Sequence, residues 1–264
     1  MRTKRRYRSK KASKKGIYIL PNLFTSGCLF GGFYAIIAAI QGRYDAAAIA
    51  ILIASLCDGL DGKIARFTNT TSQFGVEYDS LADLVAFGVA PGLLAFEWSL
   101  QSFGRFGWLA IFLYVICGAL RLARFNIQKS SLESRHFKGL PIPCAAIFIA
   151  TFVLFFNSYG GPDMARHAVI IVAMYLLSFL MVSTINYISF KEFELFKRKP
   201  FNVLVATILI LIVVAYKPAV MLFIFSFVYI VSGPAMTAYK LARSKRSKAV
   251  AVIATATSGS KEKG

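Results

Sequence analysis

Long apolar segments joined by short polar connections make up most of the chain. A helix of about 20 apolar residues crosses the hydrocarbon of a bilayer, because each residue adds about 1.5 Å to its length. Lys217 and Pro218 separate the last two segments, and a tight turn is expected there because proline cannot continue a helix. The pattern predicts an all-α, polytopic integral membrane helix bundle. The segments are 18–40, 45–66, 79–99, 108–125, 141–157, 167–190, 201–216 and 218–239.

The composition agrees with a membrane protein and excludes several other classes. Of the 264 residues, 57% are hydrophobic, and the mean hydropathy is +0.60, which is unusual for a soluble domain. The net charge of +19 would suggest a nucleic-acid partner in a soluble protein, but the apolar segments exclude a simple basic nucleic-acid-binding domain. The four cysteines stand singly in separate apolar segments, so we expect neither disulfides nor a zinc site.

The basic residues are divided unevenly between the two sides of the predicted bundle. With a cytoplasmic N-terminus, 27 of the 31 Lys and Arg residues face the cytoplasm, and only Arg43, Arg105, Arg166 and Lys217 face the other side. This asymmetry predicts a multi-pass protein of the inner (cytoplasmic) cell membrane with an even number of spans and both termini in the cytoplasm. The expected parts are a basic disordered arm at 1–16, a membrane-embedded domain at 17–240 and a basic disordered tail at 241–264.

Acidic residues are concentrated at one place between apolar segments. A carboxylate at the edge of the hydrocarbon is costly, so acids there indicate a functional site. Asp58 and Asp61 are three residues apart at the cytoplasmic end of the second segment, and Asp79 and Asp83 are four apart at the start of the third. Each pair therefore shares one helix face. Because the connection between the two segments is short, we expect antiparallel helices whose acidic faces meet at one depth.

Four ionised carboxylates would repel one another and become protonated on burial, unless two divalent cations balanced their charge. Oxygen ligands favour Mg²⁺ or Mn²⁺. A metal pair about 4 Å apart is typical of enzymes that catalyse displacement at phosphorus. The residues alone therefore indicate a metal-dependent phosphoryl-type transfer in the membrane, on a substrate that arrives from the cytoplasm.

Other functions of the acids remain open at this point. A buried polar network or a cation-transport pathway would also place carboxylates in the membrane. Transport would not need the stretch from Gly62 to Arg66 beside the acids. In that stretch Gly62 and Ala65 lie on or near the acidic face and leave room for a ligand to approach the backbone. A non-catalytic lipid-binding scaffold is a further alternative, although it would have no use for a base at Asp83.

The spacing of these residues resembles the signature of the CDP-alcohol phosphotransferase family. In this chain the signature reads Asp58-x2-Asp61-Gly62-x2-Ala65-Arg66-x8-Gly75-x3-Asp79-x3-Asp83. The resemblance implies a six-helix core, here with about two further C-terminal transmembrane helices, and a homodimer. It also implies two divalent cations, Mg²⁺ or Mn²⁺, and displacement of CMP from a CDP-linked substrate by an alcohol.

The resemblance assigns roles by position. Asp58, Asp61 and Asp79 would bind metal, and Asp83 would be a metal ligand or neighbour and the general base. Residues of the signature and of the first helix would contact the CDP-lipid, although Pro21 and Asn22 are equally consistent with a simple helix start. The expected CDP-lipid contacts are Asn22, Thr25, Gly62, Ala65, Arg66, Ser72 and Gly75.

Residues 79–91, 121–126 and 137–143 also resemble the membrane-embedded phosphatidylserine synthases of this family. This implies CDP-diacylglycerol and L-serine as substrates. Arg121, Arg124 and Lys138 would then hold the serine carboxylate or a lipid phosphate, or they would only anchor the helix ends at the cytoplasmic surface. An acceptor that carries phosphate, such as glycerol-3-phosphate or inositol phosphate, is the nearest alternative and should need a denser basic pocket.

Overall fold

The structure, a computed structural model, describes most of the predicted membrane domain. The described residues are 19–68, 72–130, 139–160, 163–185, 187, 205, 208, 209 and 216–261. The predicted arm at 1–16, Lys138 and most of the apolar segment at 201–216 lie outside them. Every regular element in the described ranges is helical, which confirms the all-α class.

The helices follow the apolar pattern of the sequence. The helices are α1 (Ile19–Ile40), α2 (Tyr44–Phe67), α3 (Gln73–Asp83), α4 (Ala90–Trp98), α5 (Arg105–Ser130), α6 (Ile142–Tyr159), α7 (Asp163–Val182) and α8 (Pro218–Lys261). Five helical stretches of the described chain are long and apolar enough to cross a membrane. They are α1, the stretch from the start of α3 to the end of α4, α5, α6, and the first half of α8. The apolar part of α7 is shorter, and α2 has 24 residues, with charged side chains that lower its hydropathy.

The third span begins earlier than the apolar pattern predicted. The sequence placed its start near Asp79, whereas α3 begins at Gln73. Ser72 caps the helix: its backbone is extended, and its hydroxyl accepts a hydrogen bond from the N–H of Gly75 at 3.0 Å. Serine is a preferred residue at this position because its side chain satisfies a free N–H of the first turn. Asp79 therefore lies inside α3 and not at its start.

A π-helical segment, Leu84–Val89, follows Asp83 directly. Pro91, in the first turn of α4, has no N–H to donate to the carbonyl of Phe87, four residues earlier. The hydroxyl of Tyr114, which is fully buried on α5, donates to that carbonyl at 3.0 Å. A carbonyl freed by proline within the membrane must find such a partner. This bond therefore attaches α5 to the backbone just after Asp83.

Small residues bring α1 close to its neighbours. α1 packs along α2, and alanines on both helices, such as Ala35 and Ala54, are fully buried. Against the π-helical segment the approach is closer, because a Cβ on Gly32 would lie only 2.5 Å from the Cα of Ala86. Close packing through small residues is typical of membrane helices. It holds the N-terminal part of α1, which carries Thr25, beside the acids of α2 and α3.

The last helix is longer than predicted. α8 runs to Lys261, so residues 241–261 are helical where the sequence predicted a disordered tail. Alanine, lysine and arginine are frequent there and are strong helix formers, so the change to a polar composition does not end the helix. Within the predicted membrane domain, α8 packs against α6. Thr151 and Ser226 share a buried hydrogen bond of 3.2 Å, and the rings of Phe148 and Phe223 lie 5.6 Å apart.

The sixth segment is shorter than predicted. α7 ends at Val182 and not near residue 190, and the chain beyond it makes hydrogen bonds to other elements. The N–H of Gly139 donates to the carbonyl of Ile185 at 2.8 Å. The hydroxyl of Tyr187 donates at 3.2 Å to the carbonyl of Ile230 in α8. That carbonyl is free because Pro234, four residues later, has no N–H.

Candidate active site

Three aspartates from two helices form a compact carboxylate cluster. Asp58 and Asp61 lie on α2 and Asp79 lies on α3, and one carboxylate oxygen of each lies within 4.8 Å of those of the other two. Asp61 is buried, with 6% of its surface exposed, while Asp58 and Asp79 are partly buried. The structure thus brings together three of the four aspartates that the sequence singled out.

Thr25 connects the acidic cluster to α1. Its hydroxyl donates to a carboxylate oxygen of Asp61 at 2.8 Å and lies 3.2 Å from the carbonyl oxygen of Pro21. Thr25 is itself buried, with 4% of its surface exposed. A buried carboxylate needs hydrogen-bond donors, so Thr25 orients Asp61 within the cluster. The sequence had assigned Thr25 to CDP-lipid binding.

Several residues expected to bind the CDP-lipid converge at the start of α3. A Cβ on Gly75 would lie 3.1 Å from the hydroxyl oxygen of Ser72 and 3.4 Å from the amide oxygen of Asn22. Side chains from α1 and from the cap of α3 therefore meet here, next to a backbone without a side chain. Gly62 follows Asp61 directly on α2 and is partly buried. Ala65 and Arg66 lie in the last turns of α2, and their side chains are outside the described part of the structure.

Asp83 stands apart from the three-aspartate cluster. It does not belong to the group whose oxygens lie within 4.8 Å of one another. Only 8% of its surface is exposed, and its Oδ1 has no hydrogen-bond partner in the described residues. It interacts electrostatically with the other three aspartates and with Arg121 of α5. The position of Asp83 next to the cluster fits a residue that neighbours a metal site and offers its free Oδ1 to a substrate.

The two arginines on α5 have different surroundings. Arg121 is 8% exposed, and its Nε has no hydrogen-bond partner in the described residues. Arg124 donates to the carbonyls of Val182 and Ser183 at 3.1 and 3.3 Å. A cation at the C-terminal carbonyls of a helix is stabilising, so Arg124 has a structural role at the end of α7. Of the two, Arg121 interacts electrostatically with Asp83 and has a buried donor atom, Nε, that no described residue binds.

Two polar residues at the site were missed by the sequence reasoning. The amide nitrogen of Asn126 donates to the hydroxyl of Ser80 at 2.9 Å, which ties α5 to α3 beside Asp83. Both residues are neutral, and 46 positions separate them. The signal that could have identified them is the position of each in a stretch already singled out, at 79–91 and 121–126.

The residues present fit hard divalent cations. Three carboxylates converge from two helices, and oxygen donors of this kind suit Mg²⁺ or Mn²⁺. The buried, unpartnered Oδ1 of Asp83 lies nearby. A cluster of unbalanced carboxylates at this depth would be costly, and a bound cation would offset that cost.

Comparison with known proteins gives a consistent result. The family described as CDP-alcohol phosphatidyltransferase matches residues 18–183. This region contains α1 to α7 and every site residue that the sequence predicted, and it ends before α8.

Individual relatives cover most of the chain. This chain is 39% identical to the CDP-diacylglycerol–serine O-phosphatidyltransferase of Helicobacter pylori over 217 aligned residues. The alignment covers 82% of this chain and 90% of that protein. The protein of the same name from Bacillus subtilis is 35% identical over 173 residues, with 66% and 92% covered. The archaetidylserine synthase of Methanothermobacter thermautotrophicus is 38% identical over 172 residues, with 64% and 69% covered.

Proposed function

The chain belongs to the CDP-alcohol phosphatidyltransferase family, and from this membership we propose that it transfers a phosphatidyl group from CDP-diacylglycerol to the hydroxyl of L-serine. The products would be phosphatidylserine and CMP. The observation that carries the proposal is the convergence of Asp58, Asp61 and Asp79 beside the buried Asp83. The names of the bacterial relatives favour serine as the acceptor.

The proposed reaction assigns a task to each group of residues. Divalent cations held by Asp58, Asp61 and Asp79 would neutralise the charge of the pyrophosphate. Asn22, Ser72 and Gly75, together with Thr25, Gly62, Ala65 and Arg66, would accommodate the CDP portion. Asp83 takes the proton of the serine hydroxyl, whose oxygen then attacks the lipid-bearing phosphorus. The bond from that phosphorus to the CMP oxygen breaks, and CMP leaves.

The proposal includes a location and an assembly. The charge asymmetry of the sequence favours an inner-membrane protein whose site and termini face the cytoplasm. CDP-diacylglycerol would enter laterally from the cytoplasmic leaflet, and serine would arrive from the cytosol. Family membership favours a homodimer. A cation transporter, considered from the acids alone, is disfavoured by the same membership.

An acceptor panel tests the proposal directly. The purified protein is incubated with CDP-diacylglycerol, Mg²⁺ or Mn²⁺, and one of L-serine, glycerol-3-phosphate or inositol phosphate, and CMP release is measured. We expect CMP release with L-serine but not with the other two acceptors, and no CMP release in excess chelator. CMP release that persists in chelator would contradict the metal assignment. CMP release with a phosphate-bearing acceptor but not with serine would contradict the assignment of serine as the acceptor.

The archaeal relative motivates one further arm of this experiment. Its name refers to a lipid with an archaeal backbone, so a CDP-linked ether lipid is compared with CDP-diacylglycerol at equal concentration. We expect faster release from CDP-diacylglycerol, because the bacterial relatives cover more of this chain and of their own length.

A further inference from the structure

Three buried side-chain atoms without hydrogen-bond partners lie where α3 and the π-helical segment face α5. In the described part of the chain they are Oδ1 of Asp83, Nε of Arg121 and Oδ1 of Asn126. Buried polar atoms in folded proteins nearly always have a partner. Three unpartnered ones at the same helix contact therefore indicate that a ligand supplies the missing bonds.

The orientation of the Asn126 amide is determined by its neighbours. Ser80 donates its only hydroxyl proton to the carbonyl of Val76 at 3.0 Å, so it accepts from the amide nitrogen of Asn126. Glu77 also lies on the nitrogen side, with a carboxylate oxygen at 3.5 Å, and a carboxylate can only accept. The amide oxygen must therefore point away from both, as an acceptor that remains available.

Contacts between α3 and α5 link the three residues to one another. Ser80, which binds Asn126, is three residues from Asp83 on α3, so both lie on one side of that helix. Asn126 and Arg121 are five residues apart on α5, which corresponds to about 7.5 Å along the helix axis. Arg121 and Asp83 interact electrostatically across the contact. Asn126 lies on the cytoplasmic side of the other two groups.

We propose that Asn126 recognises the ammonium group of the acceptor amino acid and so determines specificity for serine. The three free atoms match zwitterionic serine group by group: Arg121 offers a donor for the carboxylate, Asn126 an acceptor for the ammonium, and Asp83 an acceptor for the hydroxyl. Glu77, beside Asn126, adds negative charge that favours an ammonium and repels a phosphate-bearing acceptor. This inference rests on the proposed function.

Acceptor analogues that lack one group each provide the test. The purified protein is assayed for CMP release with L-serine, with 3-hydroxypropionate, which lacks the ammonium, and with ethanolamine, which lacks the carboxylate. Asn126→Ala should raise KM for serine about 10- to 100-fold, the loss expected for one charge-assisted hydrogen bond, and leave KM for CDP-diacylglycerol within about twofold. It should abolish the preference for serine over 3-hydroxypropionate and keep the preference over ethanolamine.

Two further variants control for a structural role. Asn126→Asp keeps an acceptor oxygen and should retain the preference for serine over 3-hydroxypropionate. Arg121→Gln should show the opposite pattern from Asn126→Ala. It should lose the preference for serine over ethanolamine and keep the preference for serine over 3-hydroxypropionate. Suppose that the wild type is active with serine. If both Asn126 variants then keep the preference for serine over 3-hydroxypropionate, or if both lose it, the inference is overturned and the proposed function stands. If wild type releases no CMP with serine, the proposed function itself fails.

Discussion

Asp61 shows most directly how a neighbouring group orients a single side chain in the site. It is buried in the C-terminal part of α2 and accepts a hydrogen bond from Thr25 of α1 at 2.8 Å. Neither of its two cluster partners, Asp58 and Asp79, is on α1. The hydroxyl of Thr25 therefore attaches a third helix to the carboxylate cluster, and a change at this atom should affect the whole cluster.

Thr25→Val keeps the shape of the side chain and removes the hydroxyl. The buried carboxylate of Asp61 would lose a hydrogen bond worth about 1.5–3 kcal/mol, and its orientation toward a cation would be less restricted. We expect the Mg²⁺ or Mn²⁺ concentration for half-maximal CMP release to rise about tenfold or more. Thr237→Val is a matched control, because among the described residues the hydroxyl of Thr237 bonds within α8, to the carbonyl of Gly233. An equal rise in both variants would contradict this role of Thr25.

Asp83→Asn tests the base at the residue scale. The amide has nearly the shape of the carboxylate but cannot take the proton of the acceptor hydroxyl, so we expect turnover to fall by at least about 100-fold. Binding of CDP-diacylglycerol, measured by equilibrium titration, should persist because the nucleotide side of the site is unchanged. Near-normal CMP release with serine would show that another group is the base.

At the scale of helices, two proline–tyrosine pairs hold the bundle around the site. Pro91 frees the carbonyl of Phe87, and Tyr114 of α5 binds it. Pro234 frees the carbonyl of Ile230 in α8, and Tyr187 binds it. In each pair the tyrosine comes from a different element, so a local break in one helix becomes a contact between two.

Replacing either Pro91 or Tyr114 should destabilise the protein. Replacing both should lower the stability by less than the sum of the two single losses. Tyr114→Phe leaves the carbonyl of Phe87 buried without a partner, at about 1–3 kcal/mol. Pro91→Ala alone should cost less, because the new N–H can donate within the helix. In the double variant that N–H satisfies the carbonyl, so the cost of Tyr114→Phe should shrink. Thermal unfolding in detergent measures this, and additive effects would contradict the compensation.

The sequence predicted the parts of the site that follow from helix periodicity. The spacing of Asp58 and Asp61 placed both on one face, and the structure finds Asp79 beside them. The same reasoning could not separate Arg121 from Arg124, because the carbonyls that Arg124 binds lie 58 and 59 positions away in the chain. Asn126 was missed because a neutral side chain gives no charge signal in an apolar segment.

The fold as a whole was predicted from the apolar segments, and its deviations occur at helix ends. The apolar pattern placed the third segment correctly but missed the polar first turns of α3, because the cap at Ser72 precedes the first apolar residues. It extended α7 too far because it could not show that Gly139 and Arg124 bind the chain just beyond Val182. Hydropathy reports burial in lipid, whereas helix ends depend on individual hydrogen bonds.

Orientation in the membrane is a property of the whole molecule and can be measured. Gly42 lies in the connection between α1 and α2, on the side with few basic residues, and Lys261 is the last residue of α8. In intact cells a membrane-impermeant maleimide should label Gly42→Cys, while Lys261→Cys should react only after the membrane is opened. The wild type serves as the control for labelling of the native cysteines. The reverse pattern would place the site on the other side.

The two sides of α3 have a consequence for the order in which substrates bind. Asp79 faces the α2 acids, and Ser72, at the N-terminal end of the helix, meets Asn22, whereas Ser80 faces Asn126 of α5. Lipid and amino acid would thus approach the reacting phosphorus from different sides of α3, and neither would block the entry of the other. Steady-state kinetics should be sequential, with intersecting double-reciprocal plots. Labelled CMP should exchange into CDP-diacylglycerol only when phosphatidylserine is present, because no phosphatidylated form of the protein stands between the two substrates.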